Sequence, residues 1–438
     1  MSGKSRFTRR QVLHGGLPVV AGAALLPLFI SRSALSAPGR PGANERIGVA
    51  YIGCGRRARQ LMGLPKEGRI VAVADVNLSR AEEVARARAC RAYQDYRKVL
   101  DCKDVDAVFV ATPDHWHVLA SIHACQALKD VYCEKPLSLT IREGRRLVEA
   151  VRKYQRVLQT GSMRRSMSGH RLGCELVRNG VAGKIHTVLI QNYPSPWECK
   201  LPSQPVPAGL DWDTWCGQTA PVAYHPDLYA CRAKPGWISF RPYSGGEMTG
   251  TGAHGFDQIQ WALDMDHTGP VEVWCEGGKL PEVVYSAPES LGRGDAATSV
   301  GHRVRFRYTN GIEIHLEPGE SAAGAAFVGD QGKIRIGNNV VESNPPELAQ
   351  QPPRDLKIRV PVSDNHIQNW FDCIKSRGRP IADVEIGHRS AIICHLGNIV
   401  RWVGRKLRWD PEQEIFPGDD EANAYLERPQ RKPYQLPL

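Results

Sequence analysis

Arg46–Ala58 reads RIGVAYIGCGRRA, and no other stretch of the chain constrains the fold as tightly. Ile47, Val49 and Tyr51, in a nearly unbroken apolar and β-prone run to Ile52, predict a strand buried on both faces. Gly53, Gly55 and Ala58 then follow at G-x-G-x-x-A spacing, with a helical pattern behind them. Each position has a physical reason. Gly53 permits the tight turn, Gly55 lets the backbone approach a pyrophosphate, and Ala58 lets the helix pack close to the strand. A second strand over Arg69–Asp75 ends on an acid, and Asp75 lies 20 residues beyond Gly55. That is the distance at which a carboxylate holds the ribose hydroxyls of a dinucleotide. Its charge repels a 2′-phosphate, so NAD is favoured over NADP, a preference that Arg56 and Arg57 soften without reversing.

Residues 46–165 alternate strand and helix patterns. Buried strands are predicted over Asp106–Ala111, Val131–Glu134 and Val157–Thr160. Ser79 with Glu82 and Thr140 with Glu143 have capping-box spacing. Such alternation implies an α/β fold with a doubly wound parallel sheet, whose ligands lie beyond the carboxyl ends of the strands. Thr112–His117, Glu134–Pro136 and Gly161–Arg165 all fall at those ends and point to one shared cleft. Thr112, Pro113, His117 and Glu134 are therefore candidate cofactor contacts.

The 438 residues allow two or three domains. The formal charge is +11, but five basic residues lie in the acid-free first 37, leaving +6 for the rest, scattered and not in blocks. Nucleic-acid binding is not expected of such a pattern. The N-terminus reads as a targeting segment over residues 1–37. Thr8–Leu13 (TRRQVL) resembles a twin-arginine signal, and the apolar run Leu17–Ile30 is short for a membrane span. Export to the periplasm is expected, with no span in the mature protein. Residues 38–45 read as a linker. The 12 cysteines include no C-x-x-C pair, and no His/Cys spacing suggests zinc, so no metal is expected.

GCGRRA, TPDHWH, CEKP and TGAHGFD, in that order, resemble the Gfo/Idh/MocA family, which includes glucose–fructose oxidoreductase and inositol dehydrogenase. The resemblance implies a Rossmann domain, here 46–165, and a second α/β domain, here 166–409, with a large, mostly antiparallel sheet. The open face of that sheet implies a homodimer or homotetramer. Residues 410–438 resemble an extended tail lying on the body or on a partner subunit. The resemblance implies that Lys135 contacts the hydroxyl being oxidised and that His254 moves its proton. Ammonium and imidazole suit those tasks. Asp257, one turn further along the same helix, either orients the imidazole, contacts substrate or is simply polar. Arg165 is implied near substrate, with Arg164 turned elsewhere, and His117 near the nicotinamide. Trp116 either shields that ring, stacks on a sugar or packs in the core. His366 and Arg389 occur in C-terminal helical patterns that resemble the family's. One departure stands out: where the family's dehydrogenases carry an aspartate four residues before the histidine, this chain has Gly250. Glu247 and Tyr243 are the candidates to replace it.

These readings converge on an NAD-dependent oxidoreductase acting on a sugar, cyclitol or glycoside. An exported enzyme meets no pool of soluble NAD, so its cofactor is expected to be held tightly and recycled within each cycle. One alternative is net glycoside hydrolysis through oxidation, elimination, hydration and reduction. Another is a non-catalytic scaffold that retains NAD. Trp197, Trp212, Trp215 and Trp237 sit in loop-rich segments, either as platforms for a carbohydrate ring or as packing anchors.

Overall fold

The computed structural model describes residues 46–231, 235–286, 297–321, 324–353 and 355–437. The expected signal segment and linker lie outside them. Six parallel strands form the first sheet: β1 (Ile47–Ile52), β2 (Gly68–Ala74), β3 (Arg91–Tyr93), β4 (Ala107–Val110), β5 (Asp130–Cys133) and β6 (Leu158–Thr160). Their order is β3-β2-β1-β4-β5-β6, so the winding reverses between β1 and β4, where a doubly wound sheet opens its ligand crevice. Every residue of β1 is buried, as an interior parallel strand requires. The exposed edge strand β3 is too short and polar to announce itself in the sequence.

One face of this sheet carries a row of aromatic side chains. Tyr51, Phe109 and Tyr132 are register partners across β1, β4 and β5, with ring centroids 4.7 and 4.8 Å apart. Trp370 stands edge-on over Phe109 and Tyr132, carried by the helix His366–Ser376. A segment expected in the second domain thus closes the core of the first. The helix Val384–Val403 also reaches back, placing Val384 and Ala391 in the cluster on the opposite face.

The second sheet has eight strands, antiparallel except where Glu313–Glu317 runs parallel to Ile185–Gln191. The helices Ser168–Arg178, Gly252–Ala262 and Val384–Val403 share a core with its apolar face, where Val188, Ile190, Phe306, Ile314 and Phe327 are fully buried. Among the remaining side chains of these strands, charged cross-strand partners pair off: Arg307 with Glu272 and Glu313, Arg305 with Glu276 and Glu317. Strands Gly324–Gly329 and Gly332–Gly337 escape sequence detection because glycines at both ends of each break the β pattern.

Thr140 caps the helix Ile141–Lys153, accepting from the Glu143 N–H as its spacing predicts. The helix Leu78–Arg88 is capped by the Asn77 side chain, not by Ser79, because Asn77 accepts from the Arg80 N–H one turn earlier. The tail lies on the body. Arg428 pairs with the buried Glu143 at 2.6 Å, and Tyr434 packs edge-on against Trp116. No helix among the described residues is long and apolar enough to cross a membrane.

Candidate active site

A cavity of about 1010 Å³ runs along the carboxyl ends of β1, β2, β4 and β5. At one end the chain leaves β1 and turns at Gly53, whose φ of +89° is left-handed. A Cβ there would stand 2.7 Å from the Ala111 carbonyl oxygen, so only glycine fits. Gly55 is different. Its backbone is extended, and a Cβ built on it meets nothing within 4 Å. The protein itself does not demand glycine at 55; a ligand approaching the backbone does. The helix that follows, Arg56–Gln60, is only five residues long, and Ala58 is its one fully buried residue.

Asp75 braces this turn. Its carboxylate accepts from the Cys54 N–H at 2.8 Å and from the Asn77 N–H at 2.9 Å. Arg80 lies 3.6 Å from it and stacks over Tyr229. Thr112 also lines the cavity, and its hydroxyl is buried with no hydrogen-bond partner. The empty space at Gly55 and this orphaned hydroxyl fit a dinucleotide. Gly53, Gly55, Arg56, Asp75, Thr112 and Pro113 are the residues that would hold it.

At the other end, β5 delivers Glu134 and Lys135. Glu134 accepts from Arg57 Nε at 2.7 Å, and the absence of a side chain at Gly161 makes room for its carboxylate. The Lys135 ammonium donates to the Gly250 carbonyl oxygen at 2.7 Å. A backbone acceptor thus meets the lysine at the very position where the family's aspartate is missing. Glu247 accepts from Thr251 Oγ1 and Tyr243 is buried among aromatic rings, and neither lines the cavity. His254 does, from the first turns of Gly252–Ala262. Burial, and then the charges of Lys135, Arg164 and Arg57, push its pKa well below the usual histidine range. It is therefore a neutral imidazole at physiological pH, able to accept a proton.

His117 and Trp116 are both cavity residues and both anchored. His117 faces the Pro136 and Thr112 carbonyls through its two ring nitrogens, at 2.7 and 3.1 Å, tying the β4 and β5 ends together. Trp116 Nε1 donates to the Trp215 carbonyl oxygen at 3.1 Å. Trp215 and Trp237 also line the cavity, whereas Trp212 stacks behind Trp215 and Trp197 packs against Tyr285.

Asp257 and Arg165 do not reach the cavity, contrary to expectation. Arg165 Nε donates to both Asp257 oxygens, at 2.9 and 3.0 Å, and its Nη atoms grip Asp266. Both residues are about 1 % exposed. Asp257 also accepts from Ser390, so its carboxylate is committed to a buried ion pair and not to His254. The tight turn Met163–Ser166 reverses the expected order of the two arginines: Arg164 lines the cavity and Arg165 points into the core. Adjacent arginines in an aperiodic turn give no clue to which faces inward. His366 is buried against the Thr160 carbonyl and Ser166, and Arg389 pairs with Glu385 and Glu414; neither lines the cavity. Among the described residues, no group of three or more His, Cys, Asp or Glu side chains is placed to hold a metal.

Two family models match the chain. One, an oxidoreductase family NAD-binding Rossmann fold, covers residues 47–162; the other, an oxidoreductase family C-terminal alpha/beta domain, covers 176–436. The chain is 32% identical over 147 residues to the myo-inositol 2-dehydrogenase of Thermotoga maritima, which is 33% of this chain and 44% of that protein. It is 29% identical over 144 residues to the 2,7-anhydro-N-acetylneuraminate hydratase of Mediterraneibacter gnavus, 32% and 38% of the two chains. These alignments thus span less than half the length of the relatives. Among solved structures, levoglucosan dehydrogenase in complex with NADH and L-sorbose aligns with a TM-score of 0.59 at 17% identity, over 83% of this chain and 99% of that one. The aldose-aldose oxidoreductase of Caulobacter crescentus, complexed with glycerol, aligns with a TM-score of 0.56 at 17% identity, over 83% and 99%. At such identities the likeness is one of fold.

Proposed function

Because the chain belongs to the Gfo/Idh/MocA oxidoreductase family, we propose that it oxidises a ring hydroxyl of a sugar, cyclitol or glycoside at the end of the cavity where Lys135 and His254 meet. NAD supplies the hydride acceptor there. The observation that carries this reading is the shared cavity: the Gly55 cradle and Asp75 open into the same space as the lysine and the neutral imidazole. Lys135 orients the hydroxyl and steadies negative charge developing on its oxygen. His254 takes the hydroxyl proton, a role that suits a base lacking its own positive charge. Trp215 and Trp237 offer apolar ring faces to a sugar.

The export signal expected in residues 1–37 and the multimer expected of the second sheet belong to the same proposal. An exported enzyme keeps its NAD and regenerates it, either by coupling two sugars or by the redox-neutral route to glycoside hydrolysis. The second route draws support from the neutral carbonyl at Gly250 in place of a carboxylate, and from a relative named as a hydratase. The test begins by denaturing the purified protein and quantifying NAD and NADH per chain. Sugars are then screened for NADH formation, and nitrophenyl glycosides for cleavage. Lys135→Met and His254→Ala should each lower turnover by at least 100-fold while NAD binding is kept. Full activity in either variant would overturn the assignment, and an NAD-loaded protein inert to every sugar and glycoside would favour the scaffold.

A further inference from the structure

The cavity wall at its reactive end holds a cation with no ion-pair partner among the described residues. Arg164 lines the cavity, and its Nη1 is buried with no hydrogen-bond partner. No carboxylate lies within ion-pair distance of it among the described residues, in contrast to Arg165 next to it, which holds two. The acids that line the same cavity are already engaged. Asp75 accepts from two backbone N–H groups, Glu134 from Arg57 and Asp114 from Ser244. Leaving a buried guanidinium N–H group without an acceptor is costly, and native structures rarely tolerate it. The partner is therefore expected from outside the chain, and its charge must be negative. Arg164 also belongs to the reactive end, because its turn follows β6, the neighbour of the strand β5 that delivers Lys135.

We propose that Arg164 receives an oxyanion carried by the substrate, a carboxylate or sulfate, while a ring hydroxyl of the same molecule meets Lys135 and His254. The substrates are then acidic sugars. The planar guanidinium favours such a group because it can give two parallel N–H bonds to it. This inference rests on the sugar-oxidoreductase reading above and narrows it.

The experiment is a calorimetric titration of the NADH-loaded protein. Its ligands are D-glucuronate, D-galacturonate, D-mannuronate and D-glucose 6-sulfate, each paired with its neutral parent hexose. At least one acid should bind tenfold or more tightly than its parent, and raising the salt concentration should shrink the gap. Preference for a uronate identifies a carboxylate, and preference for the 6-sulfate identifies a sulfate ester. Arg164→Met should erase the gap while changing neutral-sugar affinity less than twofold, and Arg164→Lys should restore part of it. The Met variant should also melt no lower than the parent protein, since it removes an unpaired buried charge. Equal affinity for every acid and its parent, an undiminished gap in Arg164→Met, or a marked fall in its melting temperature would each overturn the proposal. Tight acid binding without turnover would leave the inference standing and defeat the oxidoreductase reading. Turnover of neutral sugars, with every acid bound no more tightly than its parent, would do the reverse.

Discussion

Gly53 and Gly55 stand two residues apart in one motif, and the structure assigns them different work, which substitution with alanine separates. At Gly53 the backbone has φ +89° and a new Cβ would sit 2.7 Å from the Ala111 carbonyl oxygen. The left-handed backbone costs a non-glycine residue ~1–2 kcal/mol, and the forced contact adds ~1–3 kcal/mol. Gly53→Ala should therefore destabilise the cofactor-free protein by about 2–5 kcal/mol. At Gly55 the backbone is extended and the Cβ meets open space. Gly55→Ala should leave that stability unchanged or raise it by ~0.4–1 kcal/mol, through a less flexible unfolded chain. Its effect should fall on NAD, because the methyl group occupies the approach that the glycine keeps clear. At least a tenfold loss of affinity, ~1.4 kcal/mol, is expected. Urea unfolding without cofactor and calorimetric titration with NAD read the two quantities independently. Unchanged NAD affinity in Gly55→Ala, or equal stability losses in both variants, would refute the division of labour.

Asp257→Leu should cost ~3–5 kcal/mol in urea unfolding, because it leaves Arg165 charged and buried beside Asp266 alone; unaltered stability with lost activity would instead return Asp257 to the catalytic set. His366 is pushed down to about 4, chiefly by burial. Its folded pKa lies below its unfolded one, so its contribution to stability is full above pH 6.5 and is lost as the pH falls from there toward about 4, at ~1.4 kcal/mol per pH unit. The pH dependence of unfolding in His366→Gln should be shallower by that slope between pH 6.5 and 4.5; an identical slope would contradict the buried neutral ring. Arg428→Ala should cost ~3–5 kcal/mol by stranding Glu143, which is 1 % exposed, and adding Glu143→Gln should recover part of the loss. A double variant no better than the single one would show that the loss does not come from the stranded Glu143 charge.

Those positions also show what a sequence can disclose. The first sheet was legible because its interior strands are continuous apolar runs and because G-x-G-x-x-A and Asp75 carry a mechanism in their spacing. Lys135 and His254 were legible through strand-end and helix context. What stayed hidden depends on side-chain direction within turns and on distant pairing. Whether Arg164 or Arg165 faces the cavity is decided by Asp257 and Asp266, about a hundred residues away, which draw Arg165 inward. The Asn77 cap displaced Ser79 because either side chain suits a helix start and only the observed backbone selects one. Strand β3 is only three residues long, and in the hairpin Gly324–Gly337 the glycines at the ends of each strand cut short the pattern on which such reading depends.

The helix bearing Trp370 sets a timetable for assembly. A chain growing from its amino end completes all six strands of the first sheet by Thr160, yet Phe109 and Tyr132 of its aromatic row lack their Trp370 cover until the helix ending at Ser376 has been synthesised. For about half of translation, from Thr160 to Ser376, the nucleotide-binding half is a sheet with one sticky side, a species that needs shielding from its neighbours. The nucleotide-binding half is complete only after the carboxyl-terminal part of the polypeptide has sealed a fold begun by the amino-terminal part.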